Sequence, residues 1–159
     1  MNQIDKLLAI EEIKQLKARY FRFVDTKDWA GFAGLFAADA VFDLSDDLPG
    51  CVLVGPAKIV ELSARSLEDA VTAHYGHCPE ISITSQNSAN GIWAMEDRIR
   101  WAEESTSPIK SLHGFGHYLE TYDCIEGCWR IKTLKLRRLR VDLEHKSKDT
   151  RHPKQDALR

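Results

Sequence analysis

The hydrophobic pattern of this chain changes its period part-way along, just after Val71. Before that point apolar residues recur at helical spacing, and after it polar and apolar residues alternate as they do in half-buried strands. Helices that come first and long strands that come last predict an α+β fold with an antiparallel sheet. Such a sheet has one face to cover, and the early helices can cover it. We therefore expect a pocket between a curved sheet and three N-terminal helices.

Cap and turn signals divide the chain into elements. Asp28 is suited to cap a second helix, and Gly55-Pro56 is suited to open a third, with proline in its first turn. The expected helices span residues 4–24, 29–36 and 56–66, and the expected strands span residues 40–44, 51–54, 80–84, 91–101, 111–124 and 128–143. Residues 1–143 then form one domain. Residues 144–159 form a polar tail, which is either loose or a flap over the pocket mouth.

The composition argues against several classes of protein. The net charge of -2 predicts no strong attraction to nucleic acid or to an anionic membrane. The sequence has no apolar run of the roughly 18 residues that would span a membrane, and its start lacks a signal-peptide core, so we expect a cytoplasmic protein. It has no phosphate-binding glycine loop, GxSxG or HExxH motif, so no cofactor is expected. The four cysteines form no paired CxxC units, and no metal site is expected.

The first expected helix ends in the stretch LKARYFRFVD, which places a tyrosine and an aspartate beside an apolar stripe. Tyr20 shares that stripe with Ile13 and Leu16 and therefore points toward the interior. Asp25 lies at the edge of the stripe, where the helix should end. The negative end of the helix dipole and any burial would both raise the pKa of its carboxyl group. The alternative is a solvated aspartate in a turn between helices.

Histidine supplies a second signal, because four of the six histidines lie in two short runs. His74 and His77 occur in TAHYGHCPEI, and His113 and His117 occur in LHGFGHYLE. An unbroken strand would place His113 and His117 on one face, since they are an even number of residues apart. His74 and His77 should face opposite ways unless a bulge intervenes. A single strand histidine is more often structural or exposed than catalytic.

An acid–base pair can be assembled from these residues. A histidine whose ring is held by a carboxylate has a fixed tautomer and can act as a general base near neutral pH. His74 and Asp25 would form such a pair. Removing a proton from carbon leaves a negative charge, which a tyrosine hydroxyl or an arginine aimed at the substrate oxygen would receive. Tyr20 and Arg138 are the two candidates for that role.

The last expected strand carries three arginines in LKLRRLRVD. Strict alternation would place Arg138 and Arg140 on the inward face with Leu134 and Leu136, and Arg137 on the other face. An arginine on an apolar inward face needs a partner or a ligand. The alternative is a cluster of surface arginines, which is the usual environment of this residue.

Four runs of the sequence, ARYFRFVD, HYGHCPEISI, MEDRI and YDCIEGCWRI, together resemble the SnoaL-like branch of the nuclear transport factor 2 superfamily. The resemblance covers roughly residues 10–142. It implies a cone-shaped α+β domain in which a curved antiparallel sheet and three helices enclose a pocket. Within that branch, LKARYFR, YGHCPEI, MEDR and LKLRRLR are most similar to the bile-acid 7-alpha-dehydratases. Hexachlorocyclohexane dehydrochlorinase shares the helix aspartate and a His-Tyr-Gly run, and scytalone dehydratase uses the same kind of Asp–His pair.

The resemblance also implies roles for individual residues. Asp25 and His74 match the catalytic dyad of the family, Tyr20 matches its helix tyrosine, and Arg138 matches its last-strand arginine. Asp97, in MEDRI, matches a carboxylate to which we assign no role at this stage.

Five further residues are expected to contact the substrate: His77, Trp93, His113, His117 and Leu44. Leu44 and His117 stand where the bile-acid enzymes carry a pocket tyrosine and an aromatic residue. These departures leave the dyad intact and bear on the identity of the substrate.

The expected function is that of a cofactor-independent lyase, a dehydratase that removes water from a hydrophobic hydroxylated ketone such as a steroid or a bile acid. One alternative is an isomerase or cyclase of the ketosteroid isomerase or polyketide cyclase type. Another is a non-catalytic domain that binds a small apolar molecule, or a dimerisation module, which a pocket filled by Trp93, Phe115 and Trp129 would favour. Relatives of this fold commonly associate through the outer sheet face, so a homodimer or homotrimer is expected.

Overall fold

A computed structural model describes residues 1–147 of the chain. Two helices begin the chain, α1 (Gln3–Thr26) and α2 (Trp29–Ala33), and a third, α3 (Pro56–Leu67), follows the first two strands. The strands are β1 (Phe36–Asp43), β2 (Val52–Val54), β3 (Ala70–Ile83), β4 (Ser88–Trp101), β5 (Ile109–Ile125) and β6 (Cys128–His145). The predicted order of early helices and long late strands is confirmed. Among the described residues no helix is both long enough and apolar enough to cross a membrane.

The six strands form one curled, open sheet in the order β2-β1-β6-β5-β4-β3. Four of its five pairings are antiparallel, and β1 runs parallel to β6. The sheet is therefore mixed rather than purely antiparallel, because after β1 the chain passes through β2, α3 and three further strands before β6 returns beside β1. The face toward the helices, here called the inner face, buries alternate residues of β4, and the opposite, outer face carries the exposed residues between them.

Helix α1 follows from signals at both of its ends. Asn2 and Asp5 form a capping box, in which each side chain accepts a hydrogen bond from the backbone of the other residue. Lys27 caps the C-terminal end of the helix, and its backbone is left-handed with φ 61°. Its buried stripe includes Ile13 and Tyr20 and faces the inner side of the sheet, as the apolar spacing predicts.

Several element boundaries differ from the sequence prediction, and two of them lie beside the residues of interest. Helix α2 stops at Ala33 instead of continuing to Phe36, because Phe36 pairs with Ile131 of β6 and begins β1. Strand β3 begins ten residues before the predicted start, at Ala70, and pairs with β4 along its length. A bulge between His77 and Glu80 interrupts that pairing, which explains why the mixed pattern there does not read as a strand.

A bulge in β6 overturns one prediction about the arginines. Arg138 pairs with Gly116 and Arg140 with Phe115, so Leu139 is an extra residue in β6. Arg138 therefore faces inward, while Arg140 faces outward and binds Asp142 with Nε to Oδ1 at 2.9 Å. The predicted shared face of Arg138 and Arg140 is wrong because a bulge reverses the alternation.

Strand β6 also continues to His145, so the first two residues of the expected polar tail belong to the sheet. The remainder of the tail after residue 147, and with it the predicted flap over the pocket, lies outside the described residues.

Candidate functional site

A cavity of about 180 Å³ lies between the inner face of the sheet and the helices. Tyr20 enters it from α1, His74 from β3 and Arg138 from β6, while Leu44 lines it from the end of β1. Asp25 is placed directly behind His74. The structure thus groups the four predicted catalytic residues around one cavity. Much of the remaining wall is apolar, with Val24, Phe32, Phe42, Leu48, Leu62, Leu67, Ile99 and Leu136.

Asp25 is held by three donors at the end of α1. The ring Nδ1 of His74 lies 2.7 Å from Oδ1, and the backbone N–H of His74 donates to Oδ2 at 3.0 Å. The hydroxyl of Thr72 donates to Oδ1 at 2.8 Å, and Lys27 Nζ donates in turn to that hydroxyl at 3.0 Å. The alternation of β3 explains this arrangement, since Thr72 and His74 lie on the same inner face.

The pKa of Asp25 moves in the opposite direction from the one that the sequence predicts. Burial does act to raise this pKa, but hydrogen bonds from the ring and the backbone of His74, and from Thr72, outweigh it. The net pKa of Asp25 is therefore lowered, and the group is a carboxylate at neutral pH. The sequence prediction counted the helix dipole and burial and lacked the partners on β3.

The tautomer of His74 follows from this charge. An ionised carboxylate only accepts hydrogen bonds, so Nδ1 of His74 carries a proton in the neutral ring. Nε2 is then left with a free lone pair. Within residues 1–147 this atom has no hydrogen-bond partner. No polar side-chain atom without a partner is fully buried there, so Nε2 is accessible and opens to the cavity that His74 lines. An imidazole in this state can accept a proton from a ligand.

Arg138 is not a free cation. Its two terminal nitrogens donate to the two oxygens of Asp97 at 2.9 and 2.8 Å, and its Nε donates to both oxygens of Asp47 at 2.9 and 3.0 Å. Burial opposes the charge of Arg138, but the two carboxylates outweigh it, and the net pKa of the guanidinium is raised. Asp97, which had no assigned role, therefore anchors Arg138.

Tyr20 packs its ring among aromatic side chains and leaves its hydroxyl open. The ring centre lies 5.0 Å from that of Phe32 and 6.3 Å from that of Phe36. Burial, with the charge of Glu120 added, raises the pKa of Tyr20 far above its ordinary value, so the hydroxyl keeps its proton. Among the described residues that hydroxyl has no hydrogen-bond partner. It is a neutral donor available to a ligand.

Four of the five predicted substrate-contacting residues lie outside this cavity. His113 and His117 share one face of β5, as predicted, but that face is the outer one. His77 is also on the outer face, opposite to His74. Trp93 is buried in the core, where its Nε1 donates a hydrogen bond to the hydroxyl of Tyr122. Only Leu44 lines the cavity.

The outer-face histidines meet a different carboxylate. His113 Nε2 lies 2.7 Å from Glu96 Oε1, His77 Nε2 lies 3.8 Å from Glu96 Oε2, and Arg98 Nε donates to Oε1 at 2.9 Å. This cluster is separated from the cavity by the sheet itself. Within the described residues no group of three or more His, Cys, Asp and Glu side chains has an arrangement that could hold a metal ion.

Several cavity residues were not predicted from the sequence. Asp47 comes from the loop after β1, and Tyr118 comes from the inner face of β5. Strand alternation could have found Tyr118, because it lies one position from His117 and must face the opposite way. No sequence signal places Asp47, since its position depends on how the loop folds over Arg138.

Residues 5–135 match the sequence profile of the SnoaL-like domain. The chain belongs to the SnoaL-like domain family. The match includes Tyr20, Asp25 and His74 and ends just before Leu136 and Arg138. The likeness to bile-acid 7-alpha-dehydratases, and the expected homodimer or homotrimer, stay predictions for this SnoaL-like chain.

Solved structures show the same SnoaL-like fold. A candidate scytalone dehydratase from Novosphingobium aromaticivorans superposes with a TM-score of 0.79 at 18% identity, over 92% of this chain and 94% of the other. A hexachlorocyclohexane dehydrochlorinase from Novosphingobium barchaimii gives a TM-score of 0.76 at 19% identity, over 90% and 94% of the two chains. A protein of unknown function from Mycobacterium tuberculosis gives 0.73 at 25% identity, over 87% and 76%.

Proposed function

We propose that this protein is a cofactor-independent lyase, a dehydratase that removes water from a hydrophobic hydroxylated ketone. One observation carries the proposal: Nε2 of His74 opens to an apolar cavity while Nδ1 is held 2.7 Å from the carboxylate of Asp25. A base of this kind, fixed in one tautomer, is suited to remove a proton from a carbon next to a carbonyl group.

The proposed reaction needs no other reactant. His74 Nε2 accepts the proton from the carbon next to the carbonyl, and the electron pair of the broken C–H bond forms the enolate. As the enolate collapses to a conjugated double bond, the neighbouring C–O bond breaks, and the departing hydroxyl takes a proton from the His74 imidazolium. The products are an enone and water, and the imidazole is neutral again. The carboxylate of Asp25 stabilises the transient imidazolium.

The oxygen of the enolate needs a hydrogen-bond donor, and Tyr20 fits that role best. Its hydroxyl is neutral and open to the cavity, and Tyr20 lines the same cavity as His74. Arg138 is already bound by Asp97 and Asp47, so its charge is balanced by protein carboxylates. We therefore assign to Tyr20 the hydrogen bond to the substrate oxygen. Arg138 instead holds Asp97 and Asp47 together at its own end of the cavity.

The volume of the cavity bears on the substrate. Ligand pockets commonly enclose about 300–1,000 Å³, whereas this cavity has about 180 Å³. It suits a ketone of one or two rings, and a steroid or bile acid would need the loop that carries Asp47 and Leu48 to move outward. Substrates of both sizes belong in the test.

The similar proteins support an elimination reaction in general, and they do not identify the substrate. Two of the superposed proteins are a candidate dehydratase and a dehydrochlorinase, and both names describe the removal of a small molecule from a substrate. Loss of water from a hydroxylated ketone is the elimination for which this site has a base and an oxygen donor.

A panel of β-hydroxy ketones from one ring to a 7-hydroxylated 3-oxo-4-ene steroid tests the proposal. Dehydration gives a product lighter by one water in the mass spectrum and a new enone or dienone absorbance. His74→Ala should remove this activity, and His117→Ala, a matched change on the outer face, should retain it. Product of unchanged mass would indicate an isomerase or cyclase, and binding without product would indicate a binding domain. Full turnover by His74→Ala would contradict the mechanism.

A further inference from the structure

A second tyrosine faces the same cavity as Tyr20. Tyr118 is 3% exposed, lies on the inner face of β5 and lines the cavity beside Tyr20, with 6.0 Å between the two ring centres. Burial raises the pKa of Tyr118 well above its ordinary value, so its hydroxyl is also protonated. Within residues 1–147 neither hydroxyl has a hydrogen-bond partner, and neither hydroxyl oxygen is fully buried. Two neutral donors are therefore open to one cavity.

A buried cation fixes the two rings from behind. Nζ of Lys17 lies 3.9 Å from the ring centre of Tyr20 and 3.8 Å from that of Tyr118, within the range of a cation–π contact. Lys17 forms an ion pair with Glu120, and neither side chain has any exposed surface. Burial lowers the pKa of Lys17, and the carboxylate of Glu120, which favours the ammonium form, opposes this only in part.

The ion pair is itself held in place. The second oxygen of Glu120 accepts a hydrogen bond from the hydroxyl of Tyr122, which in turn accepts one from Nε1 of Trp93 at 2.8 Å. Lys17 therefore cannot swing away from the two rings without leaving a buried charge unpaired. Because the ammonium group is attracted to both ring faces, it holds the two rings in fixed positions relative to each other.

We propose that Tyr118 and Tyr20 together form a two-donor site for a single substrate oxygen, and that Lys17, paired with Glu120, is its positioning residue. The ligand chemistry is a carbonyl oxygen or an enolate-like phenolic oxygen on an apolar ring system. This inference rests on the proposed function for its role in turnover, but the site itself can be tested by binding alone. An oxygen with two lone pairs can accept from both hydroxyls at once.

Binding of 2-naphthol and naphthalene, followed by fluorescence titration, isolates the oxygen site, because the two probes share one ring system. Wild-type protein should bind 2-naphthol about tenfold more tightly than naphthalene. Tyr118→Phe should reduce this preference by about threefold to tenfold and leave naphthalene affinity unchanged, since it removes one donor and keeps the ring. Tyr75→Phe, on the exposed outer face, is the matched control and should keep the full preference.

Lys17 is tested with Glu120, since removing one partner alone would leave a buried charge and could unfold the protein. The double variant K17M/E120Q should lose at least threefold of the naphthol preference while naphthalene affinity stays unchanged. A purely structural ion pair would instead weaken both probes equally. Lys14→Met, an exposed change on the same helix, is the control and should change neither affinity.

Equal binding of the two probes by wild-type protein, or an unchanged preference in Tyr118→Phe, overturns this proposal. Neither result touches the dyad, because the mechanism at His74 is tested by turnover and not by naphthol binding. Conversely, if wild-type protein prefers 2-naphthol over naphthalene as expected but dehydrates no substrate, the oxygen site is supported and the proposed reaction is contradicted.

Discussion

His74 binds Asp25 twice: its ring Nδ1 lies 2.7 Å from Oδ1, and its own backbone N–H donates to Oδ2 at 3.0 Å. The carboxylate therefore orients the ring and the strand that carries it at the same time. Because two separate contacts join α1 to β3 at this point, a change at Asp25 should affect both the chemistry and the packing of the helix on the sheet.

Asp25→Asn should reduce kcat/KM for dehydration by about 10²-fold or more, because the amide no longer stabilises an imidazolium or enforces one tautomer. Thr72→Val removes a different donor to the same carboxylate and keeps the dyad, so it should retain turnover within about tenfold. The measurement is steady-state kinetics on the best substrate of the panel. An Asp25→Asn protein as active as Thr72→Val would contradict the role of the dyad.

The lowered pKa of Asp25 predicts how stability depends on pH. The folded state holds this pKa below that of the unfolded chain, about 3.9. The ionised carboxylate therefore stabilises the folded state above pH 4 or so, and this contribution is lost as the pH falls through the folded-state pKa. The difference in free energy of unfolding between wild type and Asp25→Asn, from urea titrations, should shrink as the pH falls below about 4. A difference that grows on acidification would refute the prediction.

The sequence predicted the parts of the site that depend on local pattern. The apolar stripe of α1 points Tyr20 inward, and the end of that helix places Asp25 where β3 can reach it. The sequence could not predict in which direction the pKa of Asp25 is shifted. The decisive donors, Thr72 and His74, lie on a strand whose start the hydrophobic pattern did not reveal. Similarly, alternation alone places Arg140 wrongly, since a one-residue bulge leaves no local sequence signature.

The sequence also could not place the partners of Arg138. An inward arginine was expected to need a partner or a ligand, and the structure supplies Asp97 from β4 and Asp47 from a loop. Asp97 could have been inferred from alternation, because it is on the buried face of β4. Asp47 depends on the β1–β2 connection, which long-range pairing determines.

The two carboxylates of Arg138 should differ in their effect on stability. The Asp97 side chain is 4% exposed, whereas that of Asp47 is 28% exposed. Removing one partner of a buried pair costs about 3–5 kcal/mol, and a partly exposed ion pair contributes about 0–1 kcal/mol. Asp97→Asn should therefore lower the free energy of unfolding by several times as much as Asp47→Asn in chemical denaturation. Equal losses would mean that the loop carboxylate is as important to Arg138 as the strand carboxylate.

Gly114 is required by the close approach of the Asp97–Arg138 pair. A Cβ atom at this position would overlap both the carboxylate of Asp97 and the guanidinium of Arg138. Gly114→Ala should therefore displace the pair, destabilise the protein by about 1–3 kcal/mol and reduce turnover, since the cavity end that Arg138 anchors would shift. Gly34→Ala is the matched control, because its Cβ would come no nearer than 3.4 Å to the closest atom and its φ of -66° suits alanine. Thermal unfolding and kinetics on both variants check this, and a Gly114→Ala protein indistinguishable from Gly34→Ala would show that the ion pair has room to move.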